Sequence, residues 1–237
     1  MRSAGLHLTL VVAAFSSLSS ACSLPRGSMA RPVQAASDQQ VLVAGGATVP
    51  FAAVGAATTS GGDIGADLVD GLLVIPSVSF DYAFGNPDEP RRYFGVDVSI
   101  WSAALSTAGD GGLLAVFVNP RFEYGLSENL SFTVDGNLGY LGNDGSSGSP
   151  FFAPTLGLRG YIPVGRGGVI LSQQIGTGII TVTLPGSLAF DLPVAIGPGA
   201  VLHVFPEVRW DPTFFFIGDE SGVLALFSAG LSFMFQF

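Results

Sequence analysis

From about residue 40 onward, large apolar side chains fall on every second position, and nearly every charge falls on the positions between them. Side chains alternate between the two faces of a strand, so this spacing predicts strands with one apolar and one polar face. Val78, Phe80, Tyr82 and Phe84 share one face, as do Phe94, Val96, Val98 and Ile100. Val116, Val118, Phe122 and Tyr124 form a third set, and Leu130, Phe132, Val134, Leu138 and Tyr140 a fourth. None of these faces carries a charge. The opposite faces hold Asp81, Asp97, Arg121, Glu123, Asp135, Arg159, Asp191, His203, Glu207 and Arg209. A sheet divided in this way either packs its apolar face on a second sheet in water, or turns that face to lipid and closes around its charges. Large aromatic-rich residues on one face, against polar residues on nearly every opposite face, favour the second solution.

Composition agrees once hydrocarbon is the solvent. Hydrophobic residues make up 48% of the chain and charged ones 11%, yet the portion after residue 40 has no run approaching the roughly 20 apolar residues of a spanning helix. The alternation divides into ten segments, at about 41–48, 72–84, 92–104, 113–124, 129–141, 151–163, 167–175, 179–192, 199–210 and 223–237. An even number suits an antiparallel up-and-down transmembrane β-barrel. Losing a hairpin would leave eight strands, and splitting the stretch from Val41 to Thr59 would give twelve. Short connections rich in Gly, Pro and Asn (NPDEP, LSEN, VGRGG, GPGA) alternate with longer ones at 49–71, 106–112, 142–150 and 211–221; the stretch at 176–178 is the one short member of the second set. Such barrels alternate periplasmic turns with extracellular loops. Tyr82, Tyr124, Tyr140 and Trp210 fall near expected strand ends, where an aromatic girdle would meet headgroups.

The last segment, VLALFSAGLSFMFQF, places Leu231, Phe233, Phe235 and Phe237 on one face. This ending resembles the C-terminal assembly signal of Gram-negative outer-membrane β-barrels. The pattern over residues 41–237 resembles the small barrels of the outer-membrane protein A class. The resemblance implies a location in the cell outer membrane, recognition by the barrel-assembly machinery, and contact with outer-membrane lipid and lipopolysaccharide. It leaves the surface partner unidentified.

The N-terminus reads as an export signal over residues 1–21. Arg2 is followed by the apolar core Leu6–Phe15 and by small residues up to Ala21, just before the sole cysteine, Cys22. Ser19-Ser20-Ala21-Cys22 resembles a bacterial lipobox, which implies lipidation of Cys22. Here Leu18 stands four residues before the cysteine, whereas the family places leucine three before it. Cleavage at Ala21 or near Val33-Gln34-Ala35 without lipidation is the alternative. Residues 22–40, aperiodic and containing two prolines, read as a flexible periplasmic tether.

Function classes narrow by charge. Lysine is absent, and nine arginines face 18 acids, for a net charge of −9; nucleic acid is not the expected partner. Ions in a narrow barrel must be paired or hydrated. The ten inward charged residues therefore read first as a salt-bridge network filling the lumen of a protein with a structural or surface-interaction role. NPRFEYG (119–125) and FPEVRWD (205–211) each place Arg and Glu two apart on the inward face. The alternatives are a narrow water path whose excess acids favour cations, and a soluble β-barrel lipoprotein with an apolar ligand inside. Trp101, Phe117, Tyr161 and Phe205 also point inward and favour a filled lumen.

Catalysis is not expected. His203 is the only histidine after the leader, and Ser228 or Ser232 could approach it, but Glu207 lies roughly 13 Å along the strand and cannot orient it. No metal or other cofactor is expected either. Scattered acids in the proposed outer loops (Asp63, Asp67, Asp70, Asp110, Asp144, Asp211, Asp219, Glu220) follow no EF-hand spacing; a solvated surface, or divalent bridging to lipopolysaccharide, are their two readings. Phe214-Phe215-Phe216, in the last proposed loop, either extend the ninth strand or contact a partner or outer-leaflet lipid.

Overall fold

The computed structural model describes residues 40–57, 65–68, 75–84, 92–103, 113–143, 146–177, 181–217 and 220–236. The proposed signal, Cys22 and nearly all of the tether lie outside these residues, as does Phe237. Twelve strands follow in order: β1 (Gln40–Ala57), β2 (Gly65–Leu68), β3 (Ile75–Phe84), β4 (Arg92–Ala103), β5 (Leu113–Ser127), β6 (Leu130–Asn143), β7 (Ser146–Val164), β8 (Gly167–Thr177), β9 (Thr181–Thr183), β10 (Gly186–Gly197), β11 (Ala200–Ile217) and β12 (Glu220–Gln236). β2 and β3 pair successive stretches of β1, and β9 and β10 lie end to end between β8 and β11. The twelve thus make ten staves. All neighbours are antiparallel, and β12 pairs β1 from Leu42↔Gln236 to Ala57↔Gly222, which closes the ring. The ten-strand expectation holds.

Closure depends on local chemistry at a few points. Val164↔Gly167 encloses a two-residue turn in which Gly165 has φ 62°, and Gly197↔Ala200 encloses Pro198-Gly199 with Gly199 at φ 76°. Only glycine takes such angles without steric cost, and proline presets the position before the second. In β1, pairing with β12 shifts between Pro50 and Ala52, leaving Phe51 unmatched and turned outward. Proline has no N–H to give the ladder, so the bulge falls beside it.

The break between β9 and β10, at Leu184-Pro185, is repaired from outside the barrel. Gln173 lies on the outward face of β8 between Leu171 and Ile175. Its Nε2 donates to the carbonyl oxygens of Leu184 at 3.1 Å and of Pro185 at 3.2 Å. The Leu184 amide donates to the Pro212 carbonyl at 2.9 Å. Every backbone group left open in hydrocarbon needs such a partner.

Three expectations about connections are corrected. The stretch 49–71 is in part strand, since β1 runs on to Ala57 and β2 covers Gly65–Leu68. The stretch 142–150 shrinks because β6 reaches Asn143 and β7 starts at Ser146. The stretch 211–221 is almost wholly strand, with β11 and β12 in register up to Ile217↔Glu220. Antiparallel hairpins extend as long as register is kept, and proline on the outward positions, as at Pro212, does not interrupt them. Asp211 accordingly lies inside the wall and is 1% exposed, and Trp210 sits mid-strand over Gly186 rather than at a strand end.

Candidate functional site

The barrel is apolar outside and polar inside. Phe80, Phe94, Leu138, Phe152, Ile162, Leu171, Ile175, Phe190, Leu231, Phe233 and Phe235 are exposed on the outer wall. All ten charged residues expected inside are buried: Asp81, Asp97, Arg121, Glu123, Asp135, Arg159, Asp191, His203, Glu207 and Arg209. Phe117, Tyr161 and Phe205 are buried with them. This inverts the soluble alternative, in which an apolar ligand would fill the interior.

The charges interlock through neighbouring staves. Arg159 Nη1 on β7 meets Glu123 Oε2 on β5 at 2.5 Å, while Ser131 on β6, between them, donates to the other carboxylate oxygen. Gln174 Nε2 donates to Asp135 Oδ2 at 2.5 Å, and Arg121 Nε stands 4.0 Å from Asp135 Oδ1. Asn119 Nδ2 donates to Asp97 Oδ1 at 3.2 Å. Arg209 Nη2 lies 3.5 Å from Asp211 Oδ1. The ion pair made by Glu123 is therefore with Arg159 two staves away, although Arg121 shares its strand face. Asn119, Gln174 and Ser131 were not singled out in the sequence, and Asp211 was expected in an outer loop and not in the network. Gln174 and Ser131 are inward by simple alternation, but their partners depend on the register.

Below this network lies an apolar floor. Leu42, Ala44, Ala83, Tyr93, Tyr161, Ile170, Ala189, Phe205 and Met234 are buried and form one cluster. They come from eight of the ten staves, and the register brings them to one level through Ala83↔Tyr93, Tyr161↔Ile170, Ile170↔Ala189 and Ala44↔Met234. On the two remaining staves, β5 and β6, Glu123 stands opposite Tyr93 of the cluster and is held by Ser131 and Arg159. The floor lies toward the end where Gln40 and Gln236 meet the short turns.

At its edge, His203 Nδ1 lies 2.7 Å from Asp191 Oδ1, and the imidazole stacks on Phe205 with ring centroids 5.9 Å apart. Pro193↔His203 in the β10–β11 register makes Asp191 the diagonal neighbour of His203. The partner of the histidine is thus an acid absent from the serine arrangements weighed above. Ser232 faces Phe205 and Ser228 faces Arg209 across β11–β12; both serines are buried. Among the described residues, no three His, Cys, Asp or Glu side chains converge as metal ligands.

At the far end the wall loosens. Ser221–Phe227 are half-exposed at every position, without the alternation that follows from Ser228 on, and Phe216 is 53% exposed. Of the phenylalanine triplet, Phe214 is half-buried, and all three lie within β11.

No protein-family model matches the sequence, and no curated protein matches it. Solved structures resemble it in fold. The β domain of the Bordetella autotransporter BrkA shares 10% identity, covering 81% of this chain and 98% of that one, with a TM-score of 0.36. Ail, the attachment invasion locus protein of Yersinia pestis, shares 10% over 82% of this chain and 99% of that one, at 0.26. Neisserial surface protein A shares 13% over 81% and 95%, at 0.29. These likenesses are loose in shape as well as in sequence. The ten-stave closure is read from the chain's own strand pairing, and a closed antiparallel barrel, apolar outside and polar within, is the architecture of a small outer-membrane β-barrel.

Proposed function

We propose that this protein is an integral outer-membrane barrel with a sealed lumen, which serves as a membrane-embedded scaffold and acts through its far-end surface. The observation that carries this reading is the apolar floor, which spans eight staves and borders the Glu123–Arg159 pair, whose glutamate lies on β5, one of the other two. A water path through the barrel would have to cross it. The exterior supports the membrane location, since charges there would cost roughly 2–4 kcal/mol for arginine at mid-bilayer. The elongated β11–β12 hairpin, with Phe214 and Phe216 and apolar residues on both faces of Val223–Phe227, is the surface offered to a partner or to outer-leaflet lipid. On this reading the protein is not an enzyme, and the Asp191–His203 pair is structural. Cys22 lipidation, recognition of Leu231, Phe233, Phe235 and Phe237 by the assembly machinery, and lipopolysaccharide contact belong to the same proposal.

The test is membrane extraction followed by surface scoring. The folded protein should resist carbonate and urea and change gel mobility on boiling. Replacing Phe214, Phe215 and Phe216 with Ser should then reduce surface binding without releasing the barrel. A protein extracted by carbonate would overturn the membrane reading, and unchanged binding would remove the hairpin from the surface role.

A further inference from the structure

Charge is scarce on the outer wall. Among the strand residues whose side chains are described, Arg92 at the start of β4 is the one charged residue on an outward position; its neighbour Tyr93 points into the lumen and is buried. The register sets it in the outward row Phe84↔Arg92↔Tyr124, and the next outward row is Tyr82↔Phe94↔Phe122. The Arg92 guanidinium carbon lies 5.6 Å from the centre of the Tyr124 ring. Tyr82 stacks on Phe84 with ring centroids 6.2 Å apart, and Phe94 is exposed. Both rows lie at the short-turn end of the barrel, where Gln40 pairs Ala83. One step further along the wall Val96 pairs Pro120, and both are half-buried beside the exposed Phe94 and Phe122.

An outward arginine is costly at mid-bilayer and nearly neutral at the interface, where tyrosines also collect, so Arg92 with Tyr82 and Tyr124 marks the headgroup level. We infer that Arg92 and the rings beside it bind the phosphate of an anionic phospholipid in the periplasmic leaflet. This rests on the membrane reading above, but neither on the sealed lumen nor on the far-end surface. A guanidinium carries five N–H donors, so it can grip two phosphate oxygens while keeping the Tyr124 ring and a partner within the protein. The setting selects a lipid over a free anion, because the rings and the Val96–Pro120 strip give acyl chains an apolar bed and add nothing for a bare ion. The short-turn end faces the periplasm in this topology, which makes the ligand a phospholipid and not lipopolysaccharide.

Native mass spectrometry of the detergent-solubilised protein, titrated with phosphatidylglycerol or with phosphatidylcholine, tests the site. The first phosphatidylglycerol should bind about fivefold more tightly than the first phosphatidylcholine, the effect of one basic residue at a membrane surface. Arg92→Gln should bring the two affinities level. Arg166→Gln, which removes the cation in the β7–β8 turn, should leave the preference intact. If Arg92→Gln does not fold, Tyr124→Leu, which keeps the charge and removes the ring that orients it, should reduce the same preference. Inorganic phosphate at matched ionic strength should not displace the lipid. Equal binding of the two lipids by the unaltered protein would overturn the site, as would a preference kept in Arg92→Gln or Tyr124→Leu, an equal loss in Arg166→Gln, or displacement by inorganic phosphate. Because the readout is lipid preference and not resistance to extraction, the site can fail while the membrane reading stands.

Discussion

At the residue scale, two side chains carry more than their types suggest. Gln173 is a polar residue on the outer wall, and its amide donates to the Leu184 carbonyl and joins the Gln174 backbone amide on that of Pro185, at the break between β9 and β10. Gln173→Leu makes the wall more apolar, yet it should destabilise the barrel by about 1–3 kcal/mol, the cost of unmade hydrogen bonds in a dry setting; urea unfolding in lipid vesicles checks this. Arg159→Met should cost about 3–5 kcal/mol by stranding Glu123, and adding Glu123→Leu should restore most of it, since the pair as a whole is replaceable by apolar packing. The inward direction of Arg159 and Glu123 was legible from alternation. Their partnership was not, and neither was that of Asp191 with His203, because both depend on how staves are offset. Gln173 lacked any signal at all: read alone, it is a polar residue at an apolar position.

At the element scale, the ten staves were legible because each has contrast between its faces, as in Val78–Phe84 against Ser79–Asp81 or Leu130–Tyr140 against Ser131–Asn137. The far-end extensions were not. In Val223–Phe227 both faces are apolar, and in the distal part of β1 small residues blur the period, so strand there looks like loop. The seam between β1 and β12 closes the ring, and it depends on small side chains. An added Cβ at Gly46 would meet the Leu231 carbonyl oxygen at 2.7 Å and the Ser232 Cα at 2.8 Å, backbone that cannot rotate away. Gly46→Ala should therefore cost about 1–3 kcal/mol by overpacking, and should lower the fraction of protein that migrates as the compact unboiled species on a gel. By contrast, Gly197→Ala, where an added Cβ meets nothing within 4 Å, should leave that fraction unchanged.

At the scale of the whole molecule, charge inside and hydrocarbon outside were both legible, since alternation assigns every side chain to one face. The floor was not. Its members are scattered from Leu42 to Met234, and several are small or ordinary core residues that acquire meaning only when the register sets them at one level. Whether that floor seals the lumen separates a conduit from the proposed scaffold, so the most direct test is single-channel conductance of refolded protein lacking residues 1–21 in a planar bilayer under a salt gradient. Insertion is verified first by resistance to extraction and by the gel shift on boiling. The sealed lumen predicts no discrete steps from inserted protein. Cation-selective steps that diminish on neutralising Asp97 or Asp135 would contradict it, and would make the interior acids the lining of a pore.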